Sequence, residues 1–161
     1  MYPRLRDLRN DAELSQTEFA KMLGMSQTGY SKYETGENDI PTQVLIAIAQ
    51  YYHTSVDYLL GLTDEPKPYG KTKKKQRIAI LMSVMKVVYP RIRNLREDRD
   101  WTQQKVADLL FINRRTYSTY ETGTHNMTPE VLVKLSAIYE VSVDYLLGLT
   151  DNPEPYPRGK K

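Results

Sequence analysis

The stretch Leu14–Gly36, which reads LSQTEFAKMLGMSQTGYSKYETG, decides the fold. Ser15 and Glu18 have the spacing of a capping box, in which each residue satisfies a free backbone N–H of the other at the start of a helix. Apolar residues then recur at helical spacing up to Gly24, a residue that accepts the positive φ of a tight turn. Ser26 has the chemistry of a second cap beyond that turn. The stretch therefore predicts two helices joined by a short turn.

The same pattern occurs twice in the chain. Residues 2–69 align without a gap with residues 89–156, at a constant offset of 87, and 32 of the 68 aligned pairs are identical. The sequence SVDYLLGLTD at 55–64 recurs at 142–151. A period this long, present in two copies only, indicates a duplicated domain, since repeat arrays have shorter units and at least three of them. Positions at which the copies differ are then candidates for separate functions.

The two copies and the segments around them divide the chain into five parts. Each copy has the apolar spacing and the caps of five short helices. In the first helix, at about Pro3–Asp11, we expect Arg4, Arg6 and Arg9 on the outer surface. The predicted parts are a first domain at 1–64, a basic flexible linker at 65–77, an apolar helix at 78–88, a second domain at 89–151 and a basic tail at 152–161.

The formal net charge of +3 is distributed unevenly along the chain. Residues 2–64 carry 5 Lys and Arg against 9 Asp and Glu, whereas residues 65–88 carry 7 against 1. The folded parts are therefore mildly acidic, and overall charge is weak support for a nucleic-acid partner. The prediction of a nucleic-acid partner therefore depends on local sequence motifs.

Composition also narrows the class of protein. The chain has no Cys and two His residues that do not align between the copies, so we expect no disulfide, no metal site, no cofactor and no enzyme activity. It contains no apolar run of about 18 residues, the length needed to cross a membrane as a helix. We therefore expect a soluble, cytoplasmic protein.

The span Gln16–Glu34 resembles the helix-turn-helix of the Cro and lambda-repressor class, also called the XRE family. The likeness extends over both copies almost end to end, and it includes the closing SVDYLLG of each copy. This resemblance implies an all-α fold with two lambda-repressor-like five-helix domains in tandem. It further implies a sequence-specific regulator of transcription that binds double-stranded DNA, a repressor of bacterial or phage type.

The recognition helix of this class enters the major groove by its N-terminal end, so the side chains there have to reach base edges. A glutamine at that place can pair bidentately with adenine. The resemblance adds a phosphate-binding glutamine at the start of the preceding helix and a backbone contact in the following loop. The predicted DNA-binding residues of the first copy are Gln16, Gln27, Thr28, Ser31, Lys32 and Asn38.

The second copy carries different side chains at several of these positions. Two arginines replace Gln27 and Thr28, and arginine bidentate to guanine is the commonest specific contact in the major groove. We therefore predict that the two halves read different sequences and that the second prefers a guanine-containing half-site. The predicted DNA-binding residues of this copy are Gln103, Arg114, Arg115, Ser118, Thr119 and His125.

Several residues near the predicted reading surface are interpreted as structural. Glu34 and Glu121 would repel phosphates if exposed, so we expect both to hydrogen-bond inward. Phe111 stands where the first copy has Gly24, and a bulky residue at positive φ is costly. Either the second turn is built differently or it accepts strain. The residues expected in the core are Tyr30, Tyr33, Tyr117, Tyr120 and Trp101.

The connector permits the two copies to act as a pair. Proteins of this class usually bind as dimers to half-sites about 34 Å apart, and twelve linker residues extend to roughly 40 Å. A tether makes the second binding event intramolecular. The following helix is apolar nearly all round and must be buried, either on its own domain, between the two copies or between chains in a homodimer. Its interface candidates are Ile78, Leu81, Met82, Met85 and Val88.

A second interpretation of the same fold is a protein-binding adaptor or antitoxin-like module with weak or no specific DNA binding. The acidic first copy favours it, whereas the basic linker and the arginine pair of the second copy favour DNA. No small-molecule substrate is expected in either case.

Overall fold

The computed structural model describes residues 2–68 and 89–157, and within these ranges the chain forms ten helices and no β-strand. The first copy contains α1 Pro3–Asp11, α2 Gln16–Met22, α3 Gln27–Thr35, α4 Thr42–Tyr52 and α5 Val56–Leu59. The second contains α6 Pro90–Glu97, α7 Gln103–Leu110, α8 Arg114–Glu121, α9 Pro129–Tyr139 and α10 Val143–Leu146. This element order confirms the predicted all-α fold of two five-helix domains in tandem.

Side-chain caps begin most of these helices, as the sequence predicts. Ser15 and Glu18 form the complete capping box at α2, and Ser26 accepts a hydrogen bond from the Gly29 N–H at α3. The second copy uses Thr102 at α7 and Asn113 at α8 in the same way. Because a cap satisfies a backbone donor that the helix leaves free, each one fixes where its helix begins.

The two helix-turn-helix turns differ in strain. Gly24 follows α2 with a φ of 69°, which a glycine adopts freely. Phe111 ends α7 with a φ of 58°, so the second turn keeps the same geometry and accepts the cost of a bulky side chain there. The Phe111 side chain buries nothing in return, since the residue is 91% exposed.

The core is built from the inward faces of all ten helices and is continuous between the copies. Phe19 packs edge-on against the buried Tyr30, with ring centroids 5.2 Å apart. Trp101 is half-buried and stacks on Tyr139 at 6.0 Å. The tyrosines expected in the core are there: Tyr30, Tyr117 and Tyr120 are buried, and Tyr33 packs against the core half-buried.

The copies meet where the two shortest helices, α5 and α10, pack against each other. The Asp57 carboxylate accepts hydrogen bonds from the backbone N–H groups of Val143 and Asp144, at 3.0 and 2.9 Å. In return, the Asp144 carboxylate accepts from the Val56 N–H at 2.8 Å. Each aspartate therefore caps the N-terminus of the helix in the other copy, where a negative charge is stabilised by the helix dipole.

A second polar contact joins the copies beside α4 and is not symmetric. Thr42 Oγ1 donates to the Met127 carbonyl at 2.8 Å and accepts from the Tyr89 hydroxyl at 3.1 Å. The Tyr89 oxygen in turn accepts from the Met127 N–H at 2.8 Å. Pro129 occupies the position equivalent to Thr42 in the second copy and has no hydroxyl to repeat the contact.

The segment after α10 returns to the interface. The Pro153 carbonyl accepts from the Ser142 N–H at 3.2 Å, and the Tyr156 hydroxyl donates to Asp144 at 2.8 Å. Tyr156 is only 4% exposed. The beginning of the predicted basic tail is thus part of the packed structure, a role that its composition did not indicate.

The predicted apolar helix at 78–88 lies outside the described residues, as does most of the predicted linker. The interface candidates in that helix, Ile78, Leu81, Met82, Met85 and Val88, therefore stay predictions.

The paired aspartates make the stability of the interface depend on pH. Burial, together with the nearby negative charge of Asp57, raises the pKa of Asp144 to about 7, and burial also raises the pKa of Asp57. The folded chain therefore holds a proton between about pH 4 and 7 that the unfolded chain has lost, and stability falls as pH rises through this range. We expect the free energy of unfolding, measured with urea, to be about 1–2 kcal/mol lower at pH 8 than at pH 5.5. Asp144→Asn removes one of the two titrating groups and should flatten the dependence; an unchanged dependence in that variant would contradict this assignment.

Candidate nucleic-acid interface

The first helix-turn-helix consists of α2, its turn and α3, and it presents the N-terminal end of α3 to solvent. Gln27 and Thr28 are the first two residues of that helix, and both are exposed. Gln16 is the first residue of α2 and is half-buried. The two helix starts lie side by side, because the Gln27 Nε2 group donates a hydrogen bond to Gln16 Oε1 at 2.7 Å.

A buried ion pair supports this end of the first copy. Arg9 Nε donates to Glu34 Oε1 at 2.6 Å and Arg9 Nη2 donates to Glu34 Oε2 at 3.2 Å. Glu34 is 1% exposed, which confirms that it hydrogen-bonds inward. The expectation that Arg9 lies on the outer surface is wrong, since it is 9% exposed. Its guanidinium turns inward because Glu34 and the Leu14 carbonyl, at 2.7 Å, together satisfy its donors.

Glu34 also holds Gln16, whose Nε2 group donates to Glu34 Oε2 at 2.8 Å. Burial alone would raise the pKa of Glu34, but the hydrogen bonds from Arg9 and Gln16 outweigh it and leave the pKa below its usual value. The group is therefore an ionised carboxylate at neutral pH. A continuous chain of hydrogen bonds runs from Arg9 through Glu34 and Gln16 to Gln27.

The second copy repeats this chain except for its last link. Arg96 Nε donates to Glu121 Oε1 at 2.6 Å, and Gln103 Nε2 donates to Glu121 Oε2 at 2.8 Å. Arg114 occupies the position of Gln27 and is exposed. Among the described residues, no hydrogen bond joins Gln103 to Arg114. The two copies thus share the hydrogen bonds among arginine, glutamate and glutamine. They differ in the residue that begins the recognition helix, which is Gln27 in the first copy and Arg114 in the second.

The remaining candidates of the first copy are not equally available for contact. Lys32 Nζ lies 3.2 Å from Glu37 Oε1, so its charge is partly neutralised on the surface. Ser31 is half-buried. Asn38 is exposed. Its backbone N–H donates a hydrogen bond to the Lys32 carbonyl at 3.2 Å, which anchors the loop that carries this side chain.

The second copy presents more positive charge. Arg114 and Arg115 are both exposed, and Ser118 and Thr119 one turn later are half-buried. The Thr119 hydroxyl donates to the Thr116 carbonyl at 2.7 Å. A cleft of about 290 Å³ beside α8 has Arg115 and the exposed His125 among its lining residues. This juxtaposition brings the predicted loop contact next to a predicted base-reading residue.

Sequence reasoning missed the arginines that anchor each carboxylate. Arg9 and Arg96 align with each other, and so do Glu34 and Glu121. Two identical pairs at equivalent positions of the copies were a signal for a paired structural role. Helical periodicity alone hid it, because an arginine in a short amphipathic helix is usually solvent-facing.

Over residues 2–68 and 89–157, no group of His, Asp or Glu side chains has the arrangement of a metal site. In the same part of the chain, no helix has the length and apolarity to cross a membrane.

Comparison with known proteins finds the same repeated unit. The profile of the helix-turn-helix family matches the chain twice, at residues 5–59 and 92–146. No solved structure matches the chain.

Curated relatives match over one part of the chain. The uncharacterized HTH-type transcriptional regulator YobD of Bacillus subtilis is 40% identical over 70 residues, which are 44% of this chain and 62% of YobD. Antitoxin PezA of Streptococcus pneumoniae is 32% identical over 86 residues, 49% of this chain and 54% of PezA. The cryptic phage CTXphi transcriptional repressor RstR of Vibrio cholerae is 37% identical over 57 residues, 35% of this chain and 51% of RstR. The chain thus spans between half and two thirds of the length of these relatives.

The buried ion pair should be far more sensitive to substitution than the surface pair beside it. Glu34→Ala leaves the Arg9 guanidinium buried without its partner, and removing one member of a buried pair costs about 3–5 kcal/mol. The control is Glu37→Ala in the following loop, which removes only the exposed contact with Lys32 and should leave stability nearly unchanged. Urea denaturation of the full chain measures both. Equal, small losses would show that the Arg9–Glu34 pair does not hold α3 in place.

Proposed function

Because the chain belongs to the helix-turn-helix family and carries two Cro/C1-type domains in tandem, we propose that it is a sequence-specific transcriptional regulator that binds double-stranded DNA as a repressor. Its two copies act as a single-chain pseudo-dimer on one asymmetric site. It acts on DNA in the cytoplasm of a bacterium. It is a regulator rather than an enzyme, and it needs no cofactor.

The reciprocal contact between Asp57 and Asp144 carries this proposal. Asp57 bonds to backbone groups of the second copy, and Asp144 bonds to the equivalent group of the first. Contacts in which residue i meets j and j meets i are the signature of a two-fold relation. A direct, head-to-tail arrangement would not produce them. The relation supports an inverted pair of half-sites, read by α3 and α8.

The difference between the two reading ends supports the asymmetry of the site. Gln27 and Thr28 offer an amide and a hydroxyl, whereas Arg114 and Arg115 offer only donors and positive charge. An amide matches the acceptor and donor of adenine, and a guanidinium matches the two acceptors of guanine. The α5–α10 surface is already occupied within one chain, so one chain suffices for one operator. A homodimer through the apolar 78–88 segment would join two such units.

In-vitro selection from random duplex DNA tests this directly. We expect an enriched site of two inverted, dissimilar half-sites, with centres about 10–10.5 base pairs apart and guanine in one of them. Affinity should fall steeply with salt, because phosphate contacts release counterions. Two identical half-sites would contradict the asymmetric reading, and half-sites in direct repeat would contradict the two-fold arrangement.

The alternative is a protein-binding or antitoxin-like module. Two observations favour it: the acidic first copy, with 5 basic against 9 acidic residues over 2–64, and the match to antitoxin PezA. A chain of this kind would enrich no site in the selection.

Arg114 should contribute to sequence discrimination and not only to affinity. Arg114→Ala removes a donor pair from the start of α8, so we expect a loss of about tenfold or more in affinity and relaxed preference at one position of one half-site. Lys134→Ala serves as the control, since Lys134 lies on α9 and is paired with Glu130 at 2.6 Å. Titration against the selected site and its single-base variants measures both. A uniform loss across all bases would assign Arg114 to the phosphate backbone.

A further inference from the structure

We propose that the second copy anchors the chain on DNA through phosphate contacts, and that the first copy engages only after it. In the first copy, the carboxylates of Glu18, Glu37 and Asp39 repel phosphates, so base contacts in its own half-site have to outweigh this repulsion. This order of engagement rests on the DNA-binding function proposed above. It adds to that function an unequal affinity of the two halves.

The two reading ends carry opposite net charge. A reading end consists of the first turn of α2 or α7, the recognition helix α3 or α8, and the loop that follows it. The copies differ in charge at six aligned positions of this surface. The first copy has three carboxylates and one lysine there, a net charge of −2, and the second has two arginines and one lysine, a net charge of +3. The aligned pairs are Glu18 and Lys105, Gln27 and Arg114, Thr28 and Arg115, Lys32 and Thr119, Glu37 and Thr124, and Asp39 and Asn126.

The opposite end of α2 does not cancel this difference. Lys21 lies there in the first copy and Asp108 in the second, and including both leaves net charges of −1 and +2. Glu34 and Glu121 are common to both copies, and each is neutralised by its buried arginine. The difference in charge therefore comes from side chains at the surface.

The loop after the recognition helix has the same position in both copies. The Asn38 N–H donates to the Lys32 carbonyl at 3.2 Å, and the His125 N–H donates to the equivalent Thr119 carbonyl at 3.4 Å. In the second copy, the loop lines the same cleft as Arg115. A phosphate bound beside either recognition helix would therefore lie close to this loop, which holds two carboxylates in the first copy and none in the second.

The carboxylates of the first reading end are only partly neutralised. Glu37 Oε1 lies 3.2 Å from Lys32 Nζ, so these two opposite charges compensate each other. The Tyr2 hydroxyl donates to Asp39 at 3.3 Å but brings no positive charge. Glu18 belongs to the capping box of α2, whose other member is a neutral serine. In the part of the chain that the structure describes, neither Asp39 nor Glu18 forms an ion pair.

The cations of the second reading end are available to phosphates. Arg114, Arg115 and Lys105 are exposed. Within residues 2–68 and 89–157, no carboxylate forms an ion pair with any of them. Each cation that neutralises a phosphate releases counterions and so strengthens binding at low salt.

These charges set the order of the two binding steps. Duplex DNA carries one negative charge per about 1.7 Å of its axis. A single charge about 4 Å from a phosphate in water changes affinity roughly fivefold, in the direction that its sign determines. On any duplex, the second copy is therefore attracted and the first is repelled. Base contacts in the first half-site supply the missing free energy, and the tether makes that second step intramolecular.

The first measurement separates the two contributions by their salt dependence. The full chain is titrated with the selected duplex and with a shortened duplex that contains the second half-site only, from about 50 to 200 mM salt. Affinity for the shortened duplex should fall steeply with salt. The ratio of the two affinities reports what the first copy adds, and we expect it to stay constant within about twofold. If the first copy neutralised two phosphates, this ratio would fall about tenfold.

The second measurement exchanges the loop charges between the copies. Glu37→Thr combined with Asp39→Asn gives the first loop the side-chain types of the second. The new amide oxygen can still accept from the Tyr2 hydroxyl. Thr124→Glu combined with Asn126→Asp makes the reverse change in the second copy. Affinity is measured for the selected duplex and for a random duplex of equal length, and thermal denaturation verifies folding.

The control is Asp7→Asn combined with Glu65→Gln, which removes two negative charges from exposed positions on α1 and after α5. This variant has the same net charge as the chain with the neutralised first loop. Because both positions lie outside the reading end, the control should change neither affinity by more than about twofold.

We expect neutralisation of the first loop to raise affinity for the selected duplex about tenfold, because two repulsive charges are lost and Lys32 is released. Affinity for the random duplex should rise much less, since the first copy is not engaged there. Adding charges to the second loop should lower both affinities about tenfold, because the second copy is engaged on every duplex.

Two results would overturn this order of engagement while the DNA-binding function stands. One is a ratio that falls with salt as steeply as the affinity for the shortened duplex. The other is a neutralised first loop that gains equally on both duplexes or gains nothing on the selected one. If the wild-type chain selects no site at all, the proposed function itself fails.

Discussion

The buried pair of an arginine in the first helix and a glutamate in the recognition helix holds each half together. In the first copy it joins Arg9 of α1 to Glu34 of α3, and the same guanidinium reaches the Leu14 carbonyl just before α2. Arg96 makes the equivalent bonds to Glu121 and to the Trp101 carbonyl at 2.9 Å. Buried ion pairs are expensive to desolvate and often add little net stability. Their contribution here is positional, since three segments must meet at one guanidinium for its donors to be satisfied.

The interface depends on a similar exchange between elements that are weak alone. Helices α5 and α10 have four residues each, far below the length at which an isolated helix is stable. Ser55 and Ser142 cap their own helices, and Asp57 and Asp144 cap each other's. Both helices therefore gain from the presence of the opposite copy. A tether that keeps the two copies at high effective concentration makes this mutual capping an intramolecular event.

Sequence reasoning recovered what local chemistry determines and missed what depends on contacts between distant residues. The capping box at Ser15, the positive φ of Gly24 and the order of the helices all follow from neighbours a few residues apart. The burial of Arg9, the exchange between Asp57 and Asp144 and the return of Tyr156 to the interface join residues that propensity and periodicity treat separately. The 68-residue alignment of the copies offered a route to some of them, because it marks Arg9, Glu34 and Asp57 as unchanged. Nothing in the sequence decided between strain and a rebuilt turn at Phe111, since that outcome depends on how firmly α7 and α8 are held.

Two copies in one chain are free to differ at the surface that is proposed to read DNA. In a symmetric homodimer, a substitution in the recognition helix alters both half-sites at once, so the operator must change twice. Here the interface aspartates and the buried ion pairs are the same in both copies, while Gln27 faces Arg114 across the alignment. The polar contacts between the copies lie on α5 and α10 and around Thr42, Met127 and Tyr89, and none of these residues belongs to α3 or α8. Under the proposed function, one half can therefore change its base preference without disturbing its partner. The asymmetric Thr42–Met127 contact also distinguishes the two copies. It gives the two copies different roles in the interface, so each is fitted to the other rather than to a second copy of itself.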